Sequence, residues 1–210
     1  MSQLRTGVLI DLDGTLVDSV YHHVIAWSAA FRAHGYQVPL VDIHRAIGMG
    51  SDRLVPWLLG ETVPDAESLS EEHTARFLDH ADALTATSGA QALLRDLEQR
   101  GVPHVVASSA SGQEATALLE ALGMEPAIID SDAVAASKPA PDLLLAGCEE
   151  LGTDPRYTML IGDSPWDAEA ARRIGVATVG VRCGGFSDEV LRNHGASDVV
   201  SDPRALVGRL

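Results

Sequence analysis

Residues 7–19 read Gly-Val-Leu-Ile-Asp-Leu-Asp-Gly-Thr-Leu-Val-Asp-Ser, and this stretch limits the fold more than any other in the chain. Val8, Leu9 and Ile10 form a wholly apolar run rich in β-branched residues. That is the pattern of a strand buried on both faces, as in a parallel sheet. Gly14 marks its end. Asp11 and Asp13 are separated by one residue, so on an extended backbone both side chains point the same way. Two carboxylates thus leave together from the carboxyl edge of a buried strand, where open α/β sheets bind their ligands. Like charges this close are costly unless a cation, a basic side chain or a shared proton compensates. The plainer reading is a turn in which the two acids cap the next helix.

After Ser19 the apolar period becomes helical. Val20, Val24, Trp27 and Phe31 share one face, Asp18 or Ser19 can cap the start and Gly35 the end. Pro39, a Gly48-Met49-Gly50 turn, a short apolar segment around 54–59 and a break at Pro64 follow. A further helix is expected over 70–84, with Phe77, Leu78 and Ala81 on or near one face. No strand is expected between 19 and 86. From Ser88 helices and strands alternate. Helix 88–100 is stopped by Gly101, and strand 102–107 follows. A capping-box pattern, Ser111-Gly112-Gln113-Glu114, opens a helix that ends at Gly123. Strand 127–130 precedes a helix opened by Pro139 and Pro141 and ending near Gly152. Strand 157–161, helix 164–174, strand 176–181, a weak strand at 198–200 and a short terminal helix complete the chain. Such alternation predicts right-handed crossovers and a largely parallel sheet. The expected fold class is α/β: a Rossmann-like three-layer core from residues 1–16 and 86–210, with an α-helical cap inserted over 17–85.

The formal charge of −15 argues against nucleic acid or an anionic membrane as partner. No run approaches the length of a membrane span. Cys148 and Cys183 form neither a disulfide framework nor a zinc site, and Cys148 falls in an apolar helical pattern that suits a core residue. No long apolar segment precedes the acidic pair, so no signal peptide is expected. A reducing cytoplasm is the expected compartment. Oligomeric state is not legible.

Three more positions carry chemistry. Ser108 stands where the second strand ends, in Val-Val-Ala-Ser-Ser, and its hydroxyl with the following N–H groups can hold a phosphate; Ser109 competes with it, because the strand end is not fixed to one residue. Lys138, in Ser-Lys-Pro-Ala-Pro-Asp, is the only lysine of the chain and lies in an extended, pre-helical position. A compact ammonium suits neutralising phosphate and carboxylate. Ile-Gly-Asp-Ser-Pro-Trp-Asp, residues 161–167, places Asp163 at the end of the fourth strand and Asp167 in the first turn of the next helix. With Ser164 as N-cap, Asp167 can also serve only the helix.

Asp-Leu-Asp-Gly-Thr-Leu-Val-Asp-Ser resembles the first motif of the haloacid dehalogenase superfamily, in its phosphatase-like members. Ser108, Lys138-Pro139 and the 161–167 segment resemble its second, third and fourth motifs, in order and each at or just beyond a strand end. The inserted helices match the smaller cap type in position and length. The resemblance implies Mg²⁺ as cofactor, held by Asp11, Asp13 (through its carbonyl), Asp163 and Asp167. It implies attack by Asp11 on phosphorus to give an aspartyl phosphate. Asp13 would act as acid and then base, and Ser108 and Lys138 would hold the transferring phosphoryl group. The implied function is Mg²⁺-dependent hydrolysis of a small phosphorylated metabolite. A dehalogenase would lack Asp13. A receiver-type phosphorylation switch would be shorter, without an inserted cap. The nearer alternative is a sugar-phosphate mutase of the β-phosphoglucomutase type. His23 lies where such enzymes carry a cap-hinge histidine, but Thr15 is the phosphatase-like choice. Arg53 beside the glycine turn is the one cap cation expected to face the core; His22, His23, Met49, Arg53 and Trp166 are further candidates for substrate contact.

Overall fold

The computed structural model describes residues 6–60, 63–110, 112–131 and 134–210. In chain order the elements are β1 (Gly7–Ile10), α1 (Val20–Ala33), α2 (Leu40–Ala46), α3 (Ser51–Leu59), α4 (Ala66–Leu78), α5 (Ala90–Gln99), β2 (His104–Ala107), α6 (Gly112–Leu122), β3 (Ile128–Ile129), α7 (Asp142–Leu151), β4 (Thr158–Gly162), α8 (Pro165–Ile174), β5 (Ala177–Val181), α9 (Asp188–His194) and β6 (Ala196–Val200). The strands form one parallel sheet in the order β3-β2-β1-β4-β5-β6. β1 is central, with Leu9 opposite Val105 on one side and Leu160 on the other. The strand order reverses between β1 and β4, the switch point at which doubly wound sheets place their ligands.

The period of two along β1 builds three layers. Val8 and Ile10 pack with Leu93, Leu94 and Leu97 of α5 and Leu118 and Leu122 of α6. Leu9, pointing the other way, packs with Leu143, Leu144 and Cys148 of α7 and Ala170 and Ala171 of α8. Each fully buried aliphatic side chain contributes roughly 1.5–3 kcal/mol relative to exposure. Cys148 is the core residue that its apolar pattern predicted, and both cysteines are free. Among the described residues no helix is long and apolar enough to cross a membrane.

Helices α1 to α4 lie between β1 and β2 in the chain. Val20, Val24, Trp27 and Phe31 of α1, the face read from the sequence, build a cluster with Ile43, Leu54 and Leu69. The chain leaves the sheet region and returns along two adjacent segments. Asp18 N donates to Thr85 O at 2.8 Å and Thr87 N to Leu16 O at 2.9 Å.

Several local expectations are corrected. The helix placed at 70–84 begins at Ala66 and stops at Leu78, with a separate 3₁₀ turn at Ala81–Ala83. The apolar segment at 54–59 is helical despite Pro56. α2 and α9 are each seven residues, too short to show more than one apolar turn. The capping box at 111–114 includes Ser111, which lies outside the described residues, while Glu114 is engaged elsewhere, as set out below. Ser19 occupies the N-cap position of α1 without capping it. Its hydroxyl instead donates to Asp13 Oδ1 at 2.8 Å and accepts from Gly14 N at 3.2 Å.

Candidate active site

The carboxyl ends of the two central strands bring their acids together. Asp11 follows β1 and Asp163 follows β4, and Asp167 sits in the first turn of α8. One carboxylate oxygen from each lies within 4.8 Å of the others, and all three residues are buried. Lys138 is 1% exposed and reaches into this group from the loop before α7. Its Nζ donates to Asp11 Oδ1 and to Ala107 O at 3.4 Å. It also lies 2.8 Å from Asp167 Oδ1, close enough for an ion pair but without the alignment of a hydrogen bond.

Asp167 serves two purposes. Its Oδ2 accepts from Ser164 N at 3.1 Å and Ser164 Oγ at 2.7 Å, while its own N–H donates to Ser164 Oγ at 3.2 Å. That is the capping box the sequence allows, and it leaves Oδ1 for the cluster. Asp163 is fixed by Thr15, whose Oγ1 donates to Asp163 Oδ1 at 2.9 Å. Its other oxygen faces Gly14 and Gly184, where a Cβ would collide with it.

Electrostatics follow from burial. Desolvation pushes the Asp11 carboxyl up, Lys138 opposes it, and Asp167 and Asp13 add to the rise. Asp163 is pushed well above the usual carboxylate range by desolvation and by Asp11 and Asp167. Burial alone would discharge Lys138, but Asp11 and Asp167 outweigh it and hold its ammonium charged. With all three carboxylates ionised against one ammonium, two negative charges would be left uncompensated, which is why Asp11 and Asp163 are pushed up without a further cation. Oxygen donors at this spacing, with Asp167 Oδ1 accepting no hydrogen bond, fit a small hard dication.

Asp13 does not join this cluster. Its Oδ1 takes His23 Nε2 at 2.8 Å, and the contacts continue inward. His23 Nδ1 is 3.0 Å from His73 Nε2. His73 Nδ1 is 3.3 Å from Glu114 Oε1, which also accepts from Thr74 Oγ1 at 2.5 Å. The relay runs from the β1 loop through α1 and α4 to α6. Burial would lower the His23 pKa, but Asp13 overrides it and the net shift is upward. Burial lowers His73. Glu114, which burial would raise, is drawn down to about 2 by its hydrogen bond from His73 and the neighbouring charge. His73 went unread in the sequence, and Glu114 was read only as part of a capping box. The available signal was His73 at i−4 from Phe77, on the apolar side of a helix.

A cavity of about 280 Å³ opens between the inserted helices and the sheet edge, with Asp13, His23, His73, Glu114 and Ser109 in its wall. Ser109 Oγ is buried there without a hydrogen-bond partner. Ser108 lies deeper, at the end of β2, fully buried, with its Oγ accepting from Ala110 N at 3.0 Å. The glycine turn seats the inserted helices on the sheet edge. Gly48, at φ +99, has no room for a Cβ beside Ser164, and one at Gly50 would meet Ser137. Ser137 Oγ also donates to Asp52 Oδ1, and His44 Nε2 lies 2.8 Å from Gly184 O. Met49 lines the cavity. Arg53 does not; it lies half-exposed on α3, 3.4 Å from Asp52 Oδ2. Trp166 Nε1 donates to Arg45 O at 3.0 Å.

Comparison with known proteins agrees with this arrangement. The family model for haloacid dehalogenase-like hydrolases matches residues 6–175. N-acetylmuramic acid 6-phosphate phosphatase of Pseudomonas aeruginosa is 32% identical over 99% of this chain and 96% of its own. Phosphoglycolate phosphatase of Rhodospirillum rubrum is 34% identical over 93% of this chain and 87% of its own. Among solved structures, a hydrolase from Pseudomonas syringae superposes with a TM-score of 0.93 at 37% identity, covering 96% of each chain. With a family match from β1 through α8 and its acids gathered at the switch point of the sheet, the chain belongs to the haloacid dehalogenase-like hydrolases, in their phosphatase-like branch of phosphoric monoester hydrolases.

Proposed function

We propose that the protein is a Mg²⁺-dependent phosphatase that hydrolyses a small phosphorylated metabolite through an aspartyl phosphate on Asp11. The observation that carries this reading is the buried set of Asp11, Asp163 and Asp167 around a single ammonium, Lys138. Asp11, Asp163 and Asp167 would hold Mg²⁺, with the Asp13 carbonyl as the further ligand expected from the family. Bound there, the dication offsets the surplus negative charge and lets a phosphate dianion approach.

Asp11 attacks phosphorus; the new P–O bond forms as the bond to the leaving alcohol breaks. Asp13, as carboxylic acid, gives its proton to that alcohol oxygen. In the second half Asp13 as carboxylate takes a proton from water, the water oxygen bonds to phosphorus, and the Asp11 carboxylate is released. Splitting the displacement this way replaces one difficult step by two easier ones. Ser108 and Lys138 position and neutralise the transferring group. Thr15 acts through Asp163, and His23 through Asp13. Ser109 borders the leaving-group cavity.

Residues 17–85 act as a cap over a core of 1–16 and 86–210. Support comes from the apolar cluster shared by α1–α4 and from the paired crossings at 16–18 and 85–87. The mutase alternative needs cationic cap residues for a distal phosphate, and no lysine or arginine is among the described residues lining the cavity. Two free thiols suit a reducing cytoplasm. Phosphate release from a panel of phosphomonoesters with Mg²⁺ tests the assignment. Turnover that needs both Mg²⁺ and Asp11 is expected; a panel with no phosphate release, p-nitrophenyl phosphate included, would reject it.

A further inference from the structure

The cavity beside Asp13 must receive whatever the phosphate is attached to, so its wall describes the leaving group. Hydroxyls of Ser51, Ser109, Ser131 and Ser137 border it, as do the carboxylates of Asp52 and Glu114, with Trp27 and Leu54 as apolar surface. Among the described residues no lysine or arginine lines this wall. None of the four arginines of the inserted region lines the cavity: Arg32 pairs with Ser28 at 2.8 Å, Arg45 with Asp42 at 3.0 Å and Arg76 with Glu72 at 2.6 Å, while Arg53 lies outside the wall with its Nε 3.4 Å from the wall's Asp52. Lys138 is committed to Asp11 and Asp167. Outside the described set, residues 61, 62, 111, 132 and 133 are Glu, Thr, Ser, Asp and Ala, and the one basic residue is Arg5, which precedes β1 in the chain, whereas the acids follow its carboxyl end.

The two histidines in the wall do not fill the gap. His23 uses one ring nitrogen on Asp13 and the other on His73. His73 uses its remaining nitrogen on Glu114. Neither ring has a free N–H for an anion. A carboxylate or second phosphate on the leaving group would enter a cleft lined by Asp13, Asp52 and Glu114 with no lysine or arginine among the described lining residues, a costly desolvation without a partner. Hydroxyls of a ligand meet serine oxygens and carboxylates, which donate to or accept from them readily. About 280 Å³ is near the lower end of the ~300–1,000 Å³ usual for small-molecule sites, which suits one sugar-sized group.

Resting on the phosphatase reading above, we infer that the substrate is the monophosphate of a polyhydroxylated alcohol carrying no anionic group of its own, a sugar or polyol phosphate. Phosphorylated hydroxy acids and bisphosphates are excluded, although named relatives act on acid-bearing phosphates.

The test compares kcat/KM at one pH and one Mg²⁺ concentration for glucose 6-phosphate, a hexitol 6-phosphate, 2-phosphoglycolate, N-acetylmuramic acid 6-phosphate and glucose 1,6-bisphosphate. p-Nitrophenyl phosphate serves as a generic phosphatase control. The expected result is at least about a tenfold preference for the better uncharged monophosphate over every anionic one, the scale of one uncompensated charge. Equal or better use of any anionic substrate overturns the inference, as does hydrolysis of p-nitrophenyl phosphate with no use of either uncharged monophosphate; in both cases the phosphatase reading survives. Silence on all substrates, the control included, overturns both. Asp52→Lys, which puts a cation at the cavity rim, should shift the 2-phosphoglycolate to hexitol phosphate ratio about tenfold upward; an unchanged ratio counts against the charge argument.

Discussion

His23 Nε2 lies 2.8 Å from Asp13 Oδ1, so a side chain from the inserted helices holds a carboxylate of the sheet edge. The ring is stacked on Phe77 at 4.1 Å and tied through its other nitrogen to His73. Asp13 is thereby turned away from the carboxylate cluster and toward the cavity. His23→Ala should loosen it, leaving the Ser19 hydroxyl as the remaining partner of Oδ1. For an alkyl phosphate, whose leaving oxygen needs a proton, kcat should fall about tenfold to hundredfold, within the range of general-acid contributions. For p-nitrophenyl phosphate, whose leaving group departs unprotonated, kcat should change little. Equal losses on both substrates would show a merely structural histidine.

Glu114 gives a pH signature. Its folded pKa, about 2, lies below its ordinary value of 4.5. A depressed carboxyl contributes stability that is present above the unfolded value and is lost as pH falls through the folded one. Stability should therefore decline between about pH 4.5 and pH 2. The contribution is on the scale of hydrogen bonds to a carboxylate, about 1.5–3 kcal/mol. Urea unfolding across that window should show Glu114→Gln with a flatter acid limb than the wild type. Parallel limbs would contradict this account.

The acid cluster sets the metal response. Chelation should abolish activity and Mg²⁺ restore it. Ca²⁺ should inhibit, since it takes more ligands and tolerates bidentate carboxylates, which would occupy both Asp11 oxygens. Full activity in excess EDTA would remove the metal from the mechanism.

Gly184 tests the geometry of the Asp163 oxygen. A Cβ there collides with Asp163 Oδ2. Gly184→Ala should raise the Mg²⁺ concentration for half-maximal activity by about tenfold or more, with a stability cost of about 1–3 kcal/mol for local overpacking. An unchanged Mg²⁺ titration would place Asp163 outside the metal site.

The central strands were legible because Val8-Leu9-Ile10 and Met159-Leu160-Ile161 are apolar runs, buried but for a half-buried Met159, and each is followed by an acid, Asp11 after β1 and Asp163 after β4. The strand expected at 127–130 is present but only two residues long, at the sheet edge, so its ends could not be read from periodicity. α3 was hidden by Pro56, which removes one helical donor but is tolerated within a short, half-exposed helix. The partners of Asp11 and Asp163 could be named because each stands at a strand end, where topology converges. The relay through His23, His73 and Glu114 joins three separate helices, and no spacing rule connects residues so far apart. Arg53 looked core-facing from its place after the glycine turn, but Asp52 precedes it and the two pair at the surface. Sequence order fixed which residue follows the turn, not which side of α3 meets the cavity.

The covalent role of Asp11 is the central claim, and rapid acid quench during turnover, followed by mass analysis of the peptide containing Asp11, tests it most directly. The expected result is a fraction of that peptide one phosphoryl group heavier with Mg²⁺ and substrate, absent in Asp11→Asn, which should also release no phosphate. Steady phosphate release by Asp11→Asn, or a wild-type pre-steady-state burst of alcohol with Asp11 unmodified, would contradict it.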